Sequence, residues 1–288
     1  MSSAIGPTAG ACEPTAGSVV VAAGDTPVRP IGISPALTRL PGEDWWRGNQ
    51  WPPGDWGGAW PNTQTTRFPR RAWAPNYYSI AVLGEFVQAE LTTPALRWDT
   101  VSLPAVPIGP DLKAELDELA ALVEYRPGVL SEAMAQCHNM LDYWRGILPF
   151  NQASHPWTFD LAQIALRVAE FQAMHYKRLF HRPRPSQLST VLMPPVDPPS
   201  HASYPSASST ESHLLSLCLA QVMPSAAKAP LQRLAGRVAR NREVLGLHYP
   251  SDAASGKLLA EQSFLLLMTC PTVVEVRTHA INEWTPRN

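Results

Sequence analysis

Two basic clusters and a serine-rich turn follow one another in this chain: Lys177 with Arg184-Pro185, then Tyr204-Pro205-Ser206, then Arg242 with His248 and Asp252. By residue type they supply fixed positive charge, backbone amides beside a hydroxyl, and a histidine that a carboxylate four positions on can orient. Attack on phosphorus calls for this set, and so does holding vanadate. Each fragment also has a plain structural role. Lys177 and the arginines can complement a helix C-terminus, Ser208 and Glu211 are spaced as a Ser-x-x-Glu capping box, and Ser251 or Asp252 can cap the helix that follows Pro250. A helix N-terminus still carries free amides and partial positive charge, so capping and anion binding coexist.

The elements that must position these residues read as helices. From Asp111 onward Leu112, Leu116, Leu119, Leu122 and Val123 recur at spacings of three and four with acidic residues between them. Further helices are predicted near 128–147, 157–180, 207–222, 227–247 and 251–269, with prolines at the breaks. Residues 77–92 lean to helix. The expected fold is therefore an all-α helical bundle. Lys177 falls at the end of one predicted helix, Ser206 at the start of the next, and His248 at a junction broken by Pro250.

The first 75 residues are rich in Gly, Pro, Ser and Trp, with Trp45, Trp46, Trp51, Trp56 and Trp60 crowded together. Residues 1–25 are expected to be a flexible tail, and 26–288 one helical domain. Within it, 26–105 form an irregular covering segment, since tryptophans are too apolar to leave solvated, and 106–270 form the helical core that carries the motifs.

Composition narrows the partners. The chain has 288 residues, 45% of them hydrophobic, and a formal net charge of -1. That excludes a general basic face for nucleic acid, so any preference for oxyanions comes from local clustering. Cys12, Cys137, Cys218 and Cys270 form no Cys-x-x-Cys pair, which points to reduced thiols and not to structural zinc. The first basic residue is Arg29, which gives no basic flank for a secretory signal, and no segment reaches the roughly 20 apolar residues of a membrane span. A cytoplasmic, soluble protein is expected, and amphipathic helices make a homodimer a natural expectation.

Taken in order, Lys177…Arg184-Pro185, Pro205-Ser206-Ala207-Ser208 and Arg242…His248…Asp252 resemble the three motifs of the type 2 phosphatidic acid phosphatase and vanadium haloperoxidase superfamily. The resemblance covers about residues 155–265 and points to the soluble branch. It implies that Lys177, Arg184 and Arg242 hold the equatorial oxygens of phosphate or vanadate, with Ser206 and the Ala207 position on the same group. It also implies that His248 is the nucleophile, through a phosphohistidine, or the vanadate ligand, and that Asp252 orients it. The leading expectation is a phosphatase-like hydrolase of phosphoesters or diphosphates that takes a small phosphorylated substrate and needs no metal or cofactor. The alternatives are a vanadate-dependent peroxidase and an inactive oxyanion-binding protein.

One position departs from the pattern. Where the family has Gly-His, this chain has Ala207-Ser208, and the missing histidine is the one that protonates the leaving oxygen. Losing a general acid costs roughly 10² to 10⁴-fold. Glu211, His213 and His201 are the candidate substitutes.

Overall fold

The computed structural model describes residues 68, 70–89, 96–146 and 148–285. The expected flexible tail and the tryptophan cluster lie outside the described residues. The chain divides into two compact units, residues 18–73 and the remainder. In the first, Arg70–Ala72 make a single 3₁₀ turn.

The larger unit is all-helical among its described residues. Its α-helices are α1 (Pro75–Gln88), α2 (Gly109–Ala121), α3 (Arg126–His138), α4 (Met140–Arg145), α5 (Pro156–Phe180), α6 (Pro185–Leu188), α7 (Ala207–Leu219), α8 (Lys228–Val244), α9 (Pro250–Leu267) and α10 (Pro271–Glu283). Proline stands at the first or second position of α1, α2, α3, α5, α6, α9 and α10. There its missing N–H is no loss and its fixed φ suits the helix.

α7 is the central helix, packed by α5, α8 and α9, while α1 and α10 lie against α5. Its interior position follows from its sequence, for Leu214, Leu215, Cys218 and Leu219 are fully buried. One apolar cluster joins Phe86, Leu161, Ile164, Leu214, Leu267 and Val276; another joins Trp144, Leu166, Leu215, Leu231 and Val238. The segment expected to be irregular thus contributes a core helix, α1. α10 was not anticipated, although Pro271 and the buried Val273, Val276 and Ala280 mark it.

The helix expected over 128–147 is broken at Asn139. That residue is extended, and its side chain accepts from the Asp142 amide at 3.1 Å, so α4 starts afresh. The thiol expectation also needs correction: Cys218 and Cys270 are free and buried, but Cys137 is disulfide-bonded. No single described helix is long and apolar enough to cross a bilayer; α9 and α10 pass that test only as a pair, bent by 94°.

Two glycines set the joints around the motif-bearing helices. Gly246, at φ +75°, reverses the chain after α8, where an L side chain would be strained. Gly256 lets α9 approach α7 closely: a Cβ there would meet the Ser206 carbonyl oxygen at 2.6 Å and the Ser209 Cβ at 2.9 Å. Gly256→Ala is expected to cost about 1–3 kcal/mol through this overlap. Calorimetry checks this, and an unchanged melting temperature would contradict it.

Candidate active site

α5 ends at His181, whose left-handed conformation (φ 49°) turns the chain out of the helix. The run Arg182-Pro183-Arg184-Pro185 cannot continue as helix because of its prolines. Arg182 and Arg184 are both buried. Arg184 donates from Nε to the His201 carbonyl at 3.0 Å and from Nη1 to the Leu247 carbonyl at 2.9 Å, while its Nη2 lies 3.1 Å from His201 Nδ1. Lys177, one turn before the end of α5, donates from Nζ to the carbonyls of Ala202 and Ser203 at 2.7 and 2.9 Å. Burial, and then Arg184, push the Lys177 ammonium well below its ordinary pKa.

α7 begins at Ala207, capped by Ser206, whose hydroxyl accepts from the Ser209 amide at 3.3 Å. This corrects the expected Ser208–Glu211 capping box. The Ser206 carbonyl already takes the Thr210 amide at 3.0 Å, so the helix starts before Ser208 can cap it. Ser208 is instead in the first turn, its hydroxyl 3.3 Å from that of Ser206. Two bonds pin this turn to α9: the Ser206 amide donates to the Asp252 carbonyl at 3.0 Å, and the Ser209 hydroxyl to the Ala253 carbonyl at 2.7 Å.

His248 precedes α9 and Asp252 sits in its first turn. His248 Nδ1 is 3.1 Å from Asp252 Oδ2, and the same carboxylate accepts from the Tyr249 amide at 3.1 Å and from the Ser203 hydroxyl. Its other oxygen accepts from Arg182 Nη1 at 2.7 Å. Asp252 thus closes its own helix and holds the imidazole at once. Burial opposes ionisation of this carboxyl, but the His248 bond, Arg182 and Ser203 prevail and bring its pKa to about 2. An ionised carboxylate can only accept, so His248 Nδ1 carries the proton and Nε2 keeps its lone pair. Burial, followed by the charges of Arg184 and Lys177, outweighs the Asp252 bond and lowers the His248 pKa to about 3, so the ring is neutral near pH 7.

Three supporting residues carry no signal in the three motifs. Arg182 is held between Asp252 and Glu115, with Nη2 donating to Glu115 Oε2 at 2.6 Å and the guanidinium 3.6 Å over the Tyr249 ring. Glu115, from α2, also accepts the Ser251 amide at 2.8 Å. Ser203 bridges toward both Asp252 and His248. A basic residue beside two prolines and a surface-patterned glutamate look ordinary in sequence, and only the tertiary packing joins them.

A small cavity of about 10 Å³ is lined by Arg184, His201, Ala207, Ser208, Arg242 and His248, with Pro199 and Leu247. Arg242 reaches it from the last turn of α8, where its guanidinium donates to the Ala133 carbonyl at 3.2 Å; burial lowers its pKa to about 10, which leaves it charged. Lys177 does not line the cavity but lies under it, anchoring the 202–203 turn. Beyond Arg184, Pro199 and His201, which both spaces share, a vestibule of about 580 Å³ opens between residues 181–187 and 198–202.

The three candidate substitutes for the missing histidine are placed differently. His201 lines the cavity beside Ser208. His213 does not: its Nδ1 lies 2.8 Å from the Ser209 carbonyl, and its charged neighbours are Lys257 and Glu261 on α9. Glu211 is buried and does not line the cavity. Burial and Glu170 raise its pKa well above the usual carboxyl value against the pull of Arg242 and Lys177.

The helical bundle thus gathers buried guanidinium groups, a helix N-terminus and an Asp-held histidine around one small cavity, which presents positive charge and hydrogen-bond donors to its interior. No family model matches the chain. Over 159 residues it is 32% identical to decaprenylphosphoryl-5-phosphoribose phosphatase of Mycolicibacterium smegmatis, an alignment covering 79% of that protein and 50% of this chain. The chain belongs to the type 2 phosphatidic acid phosphatase family, whose activity is phosphoester hydrolysis.

Proposed function

We propose that this protein hydrolyses phosphoesters or diphosphates through a phosphohistidine at His248. The observation that carries the reading is the Asp252-held His248 on a cavity that Arg184 and Arg242 also line. The phosphoryl group sits in this cavity. Arg184, Arg242 and the first-turn amides of α7 neutralise the charge that spreads over its oxygens. His248 Nε2 attacks phosphorus, the bond to the leaving oxygen breaks, and that oxygen takes a proton. Water then attacks the phosphohistidine, the P–N bond breaks, and phosphate leaves.

His201 supplies the proton in this scheme. Its Nδ1 lies 3.1 Å from Arg184 Nη2, which can only donate, and 3.1 Å from the Ala202 carbonyl, which can only accept. When Arg184 turns to a phosphoryl oxygen, Nδ1 takes a proton from solvent and holds it in a hydrogen bond to the Ala202 carbonyl. The ring becomes an imidazolium with Nε2–H available for the leaving oxygen, and in the second step it recovers a proton from the attacking water. The vestibule holds the departing alcohol. The relative's name gives a phosphorylated ribose attached to a lipid phosphate, and a sugar phosphate is the substrate class we place in this vestibule.

Leaving-group dependence tests the assignment. His201→Gln is expected to slow phosphate release from an alkyl phosphate by about 10²-fold while slowing an aryl phosphate less than about 10-fold, because phenolate leaves without a proton. Adding Ser208→His to that variant is expected to recover much of the alkyl rate. Equal losses on both substrates, or no loss on either, would rule His201 out as the donor.

A further inference from the structure

A second cavity, of about 110 Å³, lies between the 96–102 segment, α5 and α9, and is lined by Trp98, Arg97, Thr100, Gln172, Gln262 and Ser263 among others. Ser263 is eleven residues from Asp252 along α9, about 16 Å by helical rise, so this space is separate from the phosphoryl cavity. Its floor is unusual. Gln172 is 0% exposed, yet its amide nitrogen and its amide oxygen both lack a hydrogen-bond partner, and so does the buried Ser263 hydroxyl. Buried polar groups are ordinarily paired, because an unpaired one forfeits its hydration. Three such atoms at one cavity mark a place where something else completes them.

The chemistry of that occupant follows from the lining. The amide offers a donor and an acceptor side by side, and the Ser263 hydroxyl offers either. The only charged group among the described lining residues, Arg97, is paired with Asp99 through bonds of 3.0 and 2.8 Å. Nothing there selects an ion. Trp98 is packed against Phe171 and His175, which fixes its indole at the cavity edge as an apolar face beside polar groups. A fixed aromatic face with neutral donor–acceptor groups suits a ring that carries apolar C–H bonds on its faces and hydroxyls on its rim.

We infer that this cavity is a binding site for a neutral polyhydroxylated ring, a sugar or cyclic polyol, distinct from the phosphoryl site. The inference does not depend on the hydrolytic reading. The test is calorimetric titration of the full chain with D-glucose, D-ribose and myo-inositol, in the wild type and in Gln172→Met and Ser263→Ala. At least one probe is expected to bind saturably, with affinity reduced at least about 10-fold in Gln172→Met and measurably in Ser263→Ala, and with phosphate release unaltered by either substitution. Ser263→Ala, a smaller change, carries the comparison if Gln172→Met does not fold. Absence of saturable binding by all three probes would mean that water alone fills the cavity and would overturn the inference. So would binding that both variants leave intact.

Discussion

His248→Ala is expected to lower phosphate release by about 10⁴-fold or more while leaving the fold in place. Removing a nucleophile abolishes the covalent route and leaves only what binding and charge stabilisation provide. The fold should tolerate the change because Asp252 keeps Arg182, Ser203 and the Tyr249 amide as partners. The same residue predicts the acid side of the pH profile. Burial and the neighbouring cations hold the folded pKa at about 3, below the 6.5 of a free imidazole, so protonation of His248 should not impose an acid limb near 6.5. The unfolded chain does bind that proton between about 6.5 and 3, so stability falls as pH drops through this window. Activity of wild type and variant with pH, followed beside the melting temperature, separates these effects. A folded His248→Ala variant retaining a tenth of the wild-type rate would exclude the residue as nucleophile.

Asp252→Asn is expected to cost both rate and stability. An asparagine can present its NH₂ to His248 Nδ1 and so favour the tautomer with the proton on Nε2, where it blocks attack on phosphorus; wrong-tautomer losses of this kind are about 10⁴-fold. The same substitution breaks the buried pair at 2.7 Å with Arg182, whose side chain is 2% exposed. Breaking a buried pair costs about 3–5 kcal/mol, and Glu115, still on Arg182, places the expected loss at the lower end. Kinetics together with denaturant unfolding check both losses. Full activity in this variant would show that Asp252 serves only to cap α9.

The order of the three motifs made most of the pocket legible, because a short spacing such as His248 to Asp252 fixes geometry within one turn. Helical periodicity also placed α5, α7, α8 and α9 closely, and prolines mark the starts of α5 and α9. Legibility failed where partners come from far along the chain. Arg182 meets Asp252 from 70 residues away in sequence and Glu115 meets Arg182 from 67, and nothing local marks either pair. The start of α7 was ambiguous because Ser206 and Ser208 both suit a cap, and the tie from the Ser206 amide to α9 lies beyond any local pattern. The choice among His201, His213 and Glu211 was likewise undetermined: His213 and Glu211 are bound to the faces of α7, whereas His201 depends on how the 193–203 loop folds back. Asn139 and Pro271 did carry usable signals, a helix cap and a first-turn proline.

The proposed phosphohistidine is most directly tested by trapping it. Protein turning over a ³²P-labelled phosphomonoester would be quenched in alkali, where phosphohistidine survives, digested, and mapped by mass spectrometry. Label on His248, absent from His248→Ala and chased by unlabelled substrate, is the predicted result. Phosphate release at full rate with no label on any histidine would contradict it.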